Sequence, residues 1–131
     1  SGEKMAQIEI KDLKKGGFVT IDGVPCRVDD VSISKSGKHG HAKVRVDAIG
    51  LFDGVRKSIV KPSDSRVETP MILKKKAQVL AIIGKKAQLM NLEDYSNIEL
   101  DIPEELEGKL KEGEETFYFE VDGVRTLKQI K

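Results

Sequence analysis

A short basic segment between two alternating stretches holds the side chains best suited to chemistry in this chain. It reads Lys35-Ser36-Gly37-Lys38-His39-Gly40-His41-Ala42-Lys43. Ammonium groups attract phosphate as point charges, and imidazoles can hydrogen-bond, stack or bind metal ions. No Asp or Glu occurs from Ser32 to Val46, whereas the same stretch carries four cations: Lys35, Lys38, Lys43 and Arg45. We therefore predict that this segment contacts a polyanion.

The residues on either side of the segment predict a β-hairpin that positions it. Apolar residues stand among polar ones in stretch 28–33 and alternate with them in stretch 42–48. This pattern on both sides of a glycine-containing connection is typical of two antiparallel strands. Gly37 and Gly40 permit the positive φ angles that a chain reversal needs. Lys38 is therefore predicted at or near the tip of the hairpin, away from any core.

The whole-chain composition is that of a globular protein with a limited core. Of the 131 residues, 34% are charged and 38% hydrophobic, and the formal net charge is +1. Attraction to nucleic acid would therefore depend on the local field of the basic segment. The single cysteine, Cys26, excludes an internal disulfide and is typical of a reducing compartment. Since neither a membrane span nor a signal peptide is visible, we expect a cytoplasmic protein without membrane association.

Two groups of short strands are predicted, one on each side of a polar connection near residues 62–70. Before the connection, five short strands with frequent glycine turns favour an SH3-like β-barrel. After it, about five strands and one short helix over residues 103–110 favour an OB-fold. The prediction is thus an all-β chain, with an N-terminal SH3-like barrel that carries the hairpin in residues 5–66 and a C-terminal OB-fold domain in residues 67–131.

The residue types that serve catalysis and metal binding do not form a recognisable site. Zinc usually needs three or four ligands, and beside His39 and His41 the only other soft donor is Cys26. Cys26 is most simply a small core residue, and a Cys–His catalytic pair would lack a third orienting group. Gly37-Lys38 does not belong to a P-loop. We expect no metal, no cofactor and no catalytic residue. A small metal- or cysteine-dependent enzyme ranks third among three functional hypotheses, after the two given below.

Two lysine clusters and three adjacent aromatic residues stand out in the second half. The default interpretation of both lysine clusters is that they are solvated and prevent exposed strand edges from pairing with other chains. Contact with RNA is the open alternative for Lys74-Lys75-Lys76 and Lys85-Lys86. OB-folds often stack bases on aromatic rings. Phe117, Tyr118 and Phe119 share one predicted strand, however, so they are expected to lie at least partly in the core. The sequence therefore argues against a platform for several stacked bases.

The basic segment resembles the hypusine loop of the translation initiation factor 5A family in its archaeal form. The match runs from Ser34 to Lys43 almost without departure, although relatives often have Thr or Pro at the position of Ser36. The turn at residues 22–26 and the strand beginning at residue 78 agree with the family as well. The resemblance covers essentially residues 5–131.

This resemblance implies that Lys38 is a modified lysine. In the family, deoxyhypusine synthase transfers the aminobutyl group of spermidine to this side chain, and NAD is the cofactor of the synthase. The chain itself would be a substrate and a binder without a cofactor of its own. The other residues expected to contact tRNA or the ribosome are Lys35, Ser36, Gly37, His39, Gly40, His41, Lys43 and Arg45.

The resemblance also implies a role in protein biosynthesis. The factor would bind the ribosome between the P and E sites, where the loop would steady peptidyl-tRNA, promote peptide-bond formation and relieve stalls, notably at consecutive prolines. The second hypothesis is a general single-stranded RNA-binding β protein in which Lys38 is merely one contact. The two differ in the effect of Lys38→Arg, which retains charge but removes the site of modification.

Overall fold

The computed structural model describes residues 6–35 and 42–130. Within these ranges the chain forms eleven β-strands and two 3₁₀-helices of three residues each. It divides into two compact units, Ser1–Pro70 and Met71–Lys131. The predicted all-β fold class is confirmed. No helix among the described residues is long and apolar enough to cross a membrane.

The first unit is one six-stranded antiparallel sheet wrapped around its own core. The spatial order of its strands is β1-β6-β2-β3-β4-β5. The strands are β1 Ala6–Glu9, β2 Phe18–Ile21, β3 Val24–Lys35, β4 Ala42–Gly50, β5 Arg56–Pro62 and β6 Arg66–Thr69. A 3₁₀-helix, Ile10–Asp12, follows β1. The buried side chains of this core are Ile10, Leu13, Val19, Ile21, Cys26, Val28, Val44, Val46, Ala48 and Val67.

A two-residue turn, Asp22-Gly23, joins β2 to β3. Asp22 and Gly23 have φ angles of 51° and 77°, and Ile21 pairs with Val24 across the turn. Two consecutive positive φ angles define the type I′ turn, whose twist matches that of the flanking strands. This tight connection fixes the register with which β3 begins.

A β-bulge at Asp29 interrupts the pairing of β3 with β4. Val28 pairs with Ala48 and Asp30 pairs with Asp47, so Asp29 is an extra residue on β3. Successive side chains of a strand point to opposite faces of the sheet. One extra residue in β3 therefore places each later side chain of this strand on the face opposite to the one that simple alternation would give. The apolar residues of β3 therefore point inward at Cys26 and Val28 before the bulge and at Val31 after it, a spacing of three rather than two.

The second unit is a five-stranded antiparallel sheet in the order β11-β10-β7-β8-β9. Its strands are β7 Ile72–Ile83, β8 Lys86–Asn91, β9 Asn97–Asp101, β10 Glu115–Val121 and β11 Val124–Thr126. Five strands with a helical segment between the third and the fourth agree with the predicted OB-fold. Its core consists of Ala77, Val79, Ala87, Leu89, Ile98, Tyr118 and Leu127.

The helix predicted over residues 103–110 is reduced to a 3₁₀-helix, Glu104–Leu106. Pro103 and the two acidic residues do begin a helical turn, as the sequence indicated. Gly108 follows shortly with φ of +73°, which ends any right-handed helix. A segment this short cannot offset the cost of nucleating an α-helix.

The two units divide after Pro70 rather than between residues 66 and 67, where the sequence predicted the boundary. Strand β6 belongs to the first sheet, because Val67 pairs with Ile8 of β1 and Glu68 pairs with Thr20 of β2. Val67 is also buried in the first core. These contacts join residues that are far apart in the sequence, so no local sequence pattern predicts them.

A buried hydrogen-bond network lies at the end of β8 in the second unit. The Asn91 side chain donates from Nδ2 to the Tyr118 hydroxyl at 2.6 Å. Its Oδ1 accepts from the backbone N–H groups of Glu93 at 2.7 Å and Asp94 at 3.2 Å. Asn91 is the buried polar residue of the described chain, at 4% exposure. It therefore joins the turn before β9 to the core strand β10.

Candidate functional site

The hairpin of β3 and β4 continues beyond the core of the first unit. The two strands remain paired as far as Lys35 and Ala42. On β4, Val44 is the buried residue nearest to the tip of the hairpin. On β3, all residues from Ser32 to Lys35 are exposed. Ile33 is 59% exposed although it pairs with buried Val44. A paired ladder without a core beneath it forms an arm, whose described end is the Lys35–Ala42 pair.

The centre of the predicted site lies outside the described residues. The residues concerned connect Lys35 to Ala42 in the chain and are Ser36, Gly37, Lys38, His39, Gly40 and His41. The tip position of Lys38, the roles of the two glycines and the contacts of the two histidines stay predictions. What the structure describes is the arm on either side of them.

The three described cations of the arm are exposed and lie on two faces. Lys43 and Arg45 are two residues apart on β4 and therefore share a face. Lys35 pairs with Ala42, so it lies on the opposite face, with Ile33. Among the described residues no carboxylate lies within 4.0 Å of the ammonium group of Lys35 or Lys43. Within the described part of the chain these two ammonium groups thus have no salt-bridge partner.

Arg45, by contrast, has a carboxylate partner, although no Asp or Glu occurs in the sequence from Ser32 to Val46. Its Nη2 lies 3.2 Å from Oδ1 of Asp47 and donates to the Ser58 hydroxyl at 3.4 Å. The Ser58 hydroxyl in turn donates to Asp47. The hydrogen bond from Ser58 and that from Arg45 lower the pKa of Asp47 below its ordinary value. Asp47 lies just beyond the carboxylate-free stretch, two residues from Arg45 and so on the same face.

Cys26 is a core residue, as expected. It is fully buried, and its thiol donates to the Val24 carbonyl oxygen at 3.3 Å. Burial raises the pKa of the thiol, which keeps it protonated and weakly nucleophilic. Within residues 6–35 and 42–130 no three His, Cys, Asp or Glu side chains come together as a metal site.

The lysine clusters of the second unit differ in their partners. Lys75 lies 3.6 Å from Glu120, and Lys86 lies 2.6 Å from Asp101. Lys74 and Lys76 instead lie near the ring of Phe117, at 4.1 and 5.8 Å from its centroid.

The three adjacent aromatic residues do not share one environment. Phe117 is 39% exposed, whereas Tyr118 and Phe119 are buried. Their shared strand predicts that all three lie at least partly in the core. Strand alternation places Phe117 and Phe119 on one face and Tyr118 on the other. Alternation therefore separates Phe117 from Tyr118 but does not account for the burial of Phe119.

The sequence and the fold are similar to those of known proteins. The family model described as translation initiation factor 5A-like, N-terminal, matches residues 4–65. A translation initiation factor 5A of Methanocella arvoryzae is 54% identical over 117 residues, which cover 89% of this chain and 91% of the relative. The relative of the same description in Archaeoglobus fulgidus is 44% identical over 95% of this chain and 97% of its own length.

The solved structures show the same relationship. The structure described as eukaryotic translation initiation factor 5A from Methanococcus jannaschii superposes with a TM-score of 0.84 at 48% identity, covering 93% of this chain and 91% of that one. A translation initiation factor eif-5a family protein from Naegleria fowleri gives 0.79 at 30% identity, over 95% and 96%. An all-β chain with these matches is a translation factor. It belongs to the translation initiation factor 5A family.

Proposed function

We propose that this translation factor binds the ribosome near the P and E sites and acts there through Lys38 after its conversion to deoxyhypusine or hypusine. The observation that carries the proposal is the arm: β3 and β4 stay paired to Lys35 and Ala42, beyond the last buried residue, Val44. An arm with exposed lysines suits a narrow site lined by RNA. The chain would act in the cytoplasm as a substrate of deoxyhypusine synthase and a ligand of the ribosome, not as an enzyme.

The proposed modification changes what one side chain can reach. An unmodified lysine is a single point charge on a four-carbon stem. An aminobutyl group, derived from spermidine, lengthens the side chain and adds a second protonatable nitrogen. One extended side chain can then donate to several acceptors of the ribose-phosphate backbone. Such contacts position a partner without reading its sequence, as a factor that serves every tRNA requires.

The proposed benefit to peptide transfer is one of orientation. Holding the acceptor end of peptidyl-tRNA in place increases the fraction of time for which the reacting groups are aligned. No proton transfer by this chain is needed. Proline is a constrained residue that aligns poorly. Peptide transfer on ribosomes stalled at consecutive prolines would therefore be helped most. Lys35 and Lys43 would add cationic contacts along the arm.

The test is to compare Lys38→Arg with Lys35→Arg. Each variant is incubated with deoxyhypusine synthase, spermidine and NAD, and its intact mass is measured. Its effect on peptide-bond formation by stalled ribosomes is then assayed. We expect Lys35→Arg to gain the aminobutyl mass and to relieve stalls, and Lys38→Arg to do neither. Relief of stalls by unmodified Lys38→Arg at the wild-type rate would refute the proposal.

The alternative of a general single-stranded RNA-binding protein makes a different prediction for the same variants. Both arginine substitutions retain charge, so RNA affinity would change little in either. Binding would then fall smoothly with salt concentration as counterions compete for phosphate. Modification of Lys38 would leave the affinity unchanged.

A further inference from the structure

A cavity of about 300 Å³ opens at one end of the core of the second unit. It lies between the turn that joins β7 to β8 and the segment that follows β9, so it belongs to the second unit alone. The aliphatic residues that line it are Ile82, Ile102, Leu106 and Leu110. Each of them is partly exposed and packs against the core. The cavity is therefore an accessible apolar surface that is continuous with the core.

Backbone hydrogen bonds hold the wall of the cavity in place. The N–H group of Ile102 donates to the carbonyl oxygen of Lys85 at 2.8 Å, which attaches the segment after β9 to the β7–β8 turn. The N–H group of Leu106 donates to the carbonyl oxygen of Pro103 at 2.9 Å, at the start of the 3₁₀-helix. The wall is thus formed before a ligand arrives, and a ligand would bind without the cost of ordering it.

Two residues of opposite charge lie at the mouth of the cavity. Lys85 and Glu107 both line it and are both exposed. In the part of the chain that the structure describes, neither forms a salt bridge with the other or with a third residue. The neighbouring Lys86, by contrast, lies 2.6 Å from Asp101. The mouth therefore offers one ammonium group and one carboxylate to a ligand.

We propose that this cavity binds a free α-amino acid with a large apolar side chain, such as leucine. The side chain enters the aliphatic cavity, the α-carboxylate contacts the ammonium group of Lys85, and the α-ammonium group contacts the carboxylate of Glu107. Ligand cavities measure about 300–1,000 Å³, so a cavity at the lower end of this range suits a ligand of this size. The contact does not involve Lys38 or the arm, and it goes beyond the function proposed above.

Other apolar ligands match the two charges less well. A fatty acid would bring its carboxylate close to Glu107 as well as to Lys85, and an alkylamine would bring its ammonium group close to Lys85. A residue inside a peptide carries neither charge, because its α-amino and α-carboxyl groups form amide bonds. A free amino acid carries both charges on the carbon that bears the apolar side chain.

The test is an NMR titration of the full, unmodified chain, in which the amide signals of Ile102 and Leu106 report binding. The main probe is L-leucine. Three analogues each lack one part of it: isocaproate lacks the ammonium group, isoamylamine lacks the carboxylate, and glycine lacks the side chain. A peptide with an internal leucine tests whether the site is a docking site for another protein.

Four variants test the two charges at the mouth. Lys85→Gln and Glu107→Gln each remove one of them. The matched controls are Lys109→Gln and Glu104→Gln, which remove an exposed charge of the same sign from the same region but not from the lining of the cavity. Thermal unfolding of each variant checks that the second unit remains folded.

We expect L-leucine to bind with a dissociation constant on the order of 1 mM, as is typical of a ligand of about ten non-hydrogen atoms. Isocaproate and isoamylamine should each bind about threefold to fivefold more weakly, because each loses one solvent-exposed charge pair. Glycine should not bind measurably, since it buries no apolar surface.

The variants should show a crossed pattern. Lys85→Gln should weaken the binding of L-leucine about threefold to fivefold but should not weaken that of isoamylamine, which has no carboxylate to lose. Glu107→Gln should likewise weaken the binding of L-leucine and not that of isocaproate. Lys109→Gln and Glu104→Gln should bind L-leucine like the wild type.

Three results would overturn the proposal. The first is the absence of any L-leucine-dependent change in these amide signals up to about 10 mM. The second is an equal affinity for L-leucine, isocaproate and isoamylamine, or an equal loss in the control variants, since the two charges would then have no part in binding. The third is tighter binding of the peptide than of L-leucine, which would make the cavity a docking site for a protein partner.

Discussion

Replacing Asn91 by alanine should destabilise the second unit by about 3 kcal/mol. The substitution removes three hydrogen bonds, one to Tyr118 and two from the turn at Glu93 and Asp94. An average bond contributes about 1 kcal/mol, and a buried partner left unpaired costs at least as much. Tyr118→Phe removes only the first of these bonds, so about 1–2 kcal/mol is expected from it.

The assay is amide hydrogen exchange in the full chain, followed by NMR. The slowest amides of β8 and β10 report the opening free energy of the second unit, and those of β4 report the first. The matched control is Asn97→Ala, since Asn97 is exposed on β9 and its side chain is absent from the network. The first unit should be unaffected by all three substitutions.

A double-mutant cycle isolates the bond between the two side chains. If Asn91 and Tyr118 interact as described, Asn91→Ala combined with Tyr118→Phe should cost about 1 kcal/mol less than the sum of the single changes. Strict additivity, or a loss for Asn91→Ala no larger than that for Asn97→Ala, would refute the reasoning from the buried network.

Three further predictions concern single positions. Val44→Ala should destabilise the first unit by about 2 kcal/mol in urea unfolding, because it removes two fully buried methyl groups and leaves a cavity; no change would mean that the base of the arm is loosely packed. Ser58→Ala should return the pKa of Asp47 toward its ordinary value in an NMR titration, since Ser58 is the main cause of its lowering. Because the folded pKa is the lower one, the stability that this carboxylate contributes is present above the unfolded value and is lost as pH falls through the folded one; an unchanged titration would contradict this. Gly84→Ala should cost about 1 kcal/mol in thermal unfolding, because its φ of +61° is strained for alanine although the space around it is open; a neutral result would show that the turn relaxes.

Local signals in the sequence predicted the hairpins and the fold class. Asp22-Gly23 and Asp122-Gly123 each form a turn with two positive φ angles, because the chemistry of such a turn is contained in the dipeptide itself. The arm was likewise predictable, since strand alternation on both sides of residues 35–43 depends on no distant contact.

The differences from the expectations have two physical causes, pairing between distant residues and a glycine close to the start of the expected helix. The unit boundary was placed too early because β6 pairs with β1, about sixty residues away in the chain. The helix after Pro103 is shorter than its starting signals predict, because Gly108 with its positive φ ends it. The bulge at Asp29 did leave a trace, namely the spacing of three between Val28 and Val31, which simple alternation does not explain.

The sequence predicts only some of the interaction partners of the charged residues. Arg45 and Asp47 are two residues apart on a strand and therefore share a face, so their salt bridge was within reach of the sequence. The proximity of Lys74 to Phe117 depends on the register of β7 against β10, which only the structure provides. Lys38 itself was singled out by its sequence context and family resemblance.

The burial of Cys26 provides a natural probe of the first unit. It is the one cysteine in the sequence and has no exposed surface. A thiol-specific reagent can label it only during moments when the barrel opens. The labelling rate therefore reports how often the barrel opens. The second unit does not contribute to this rate, because it contains no cysteine.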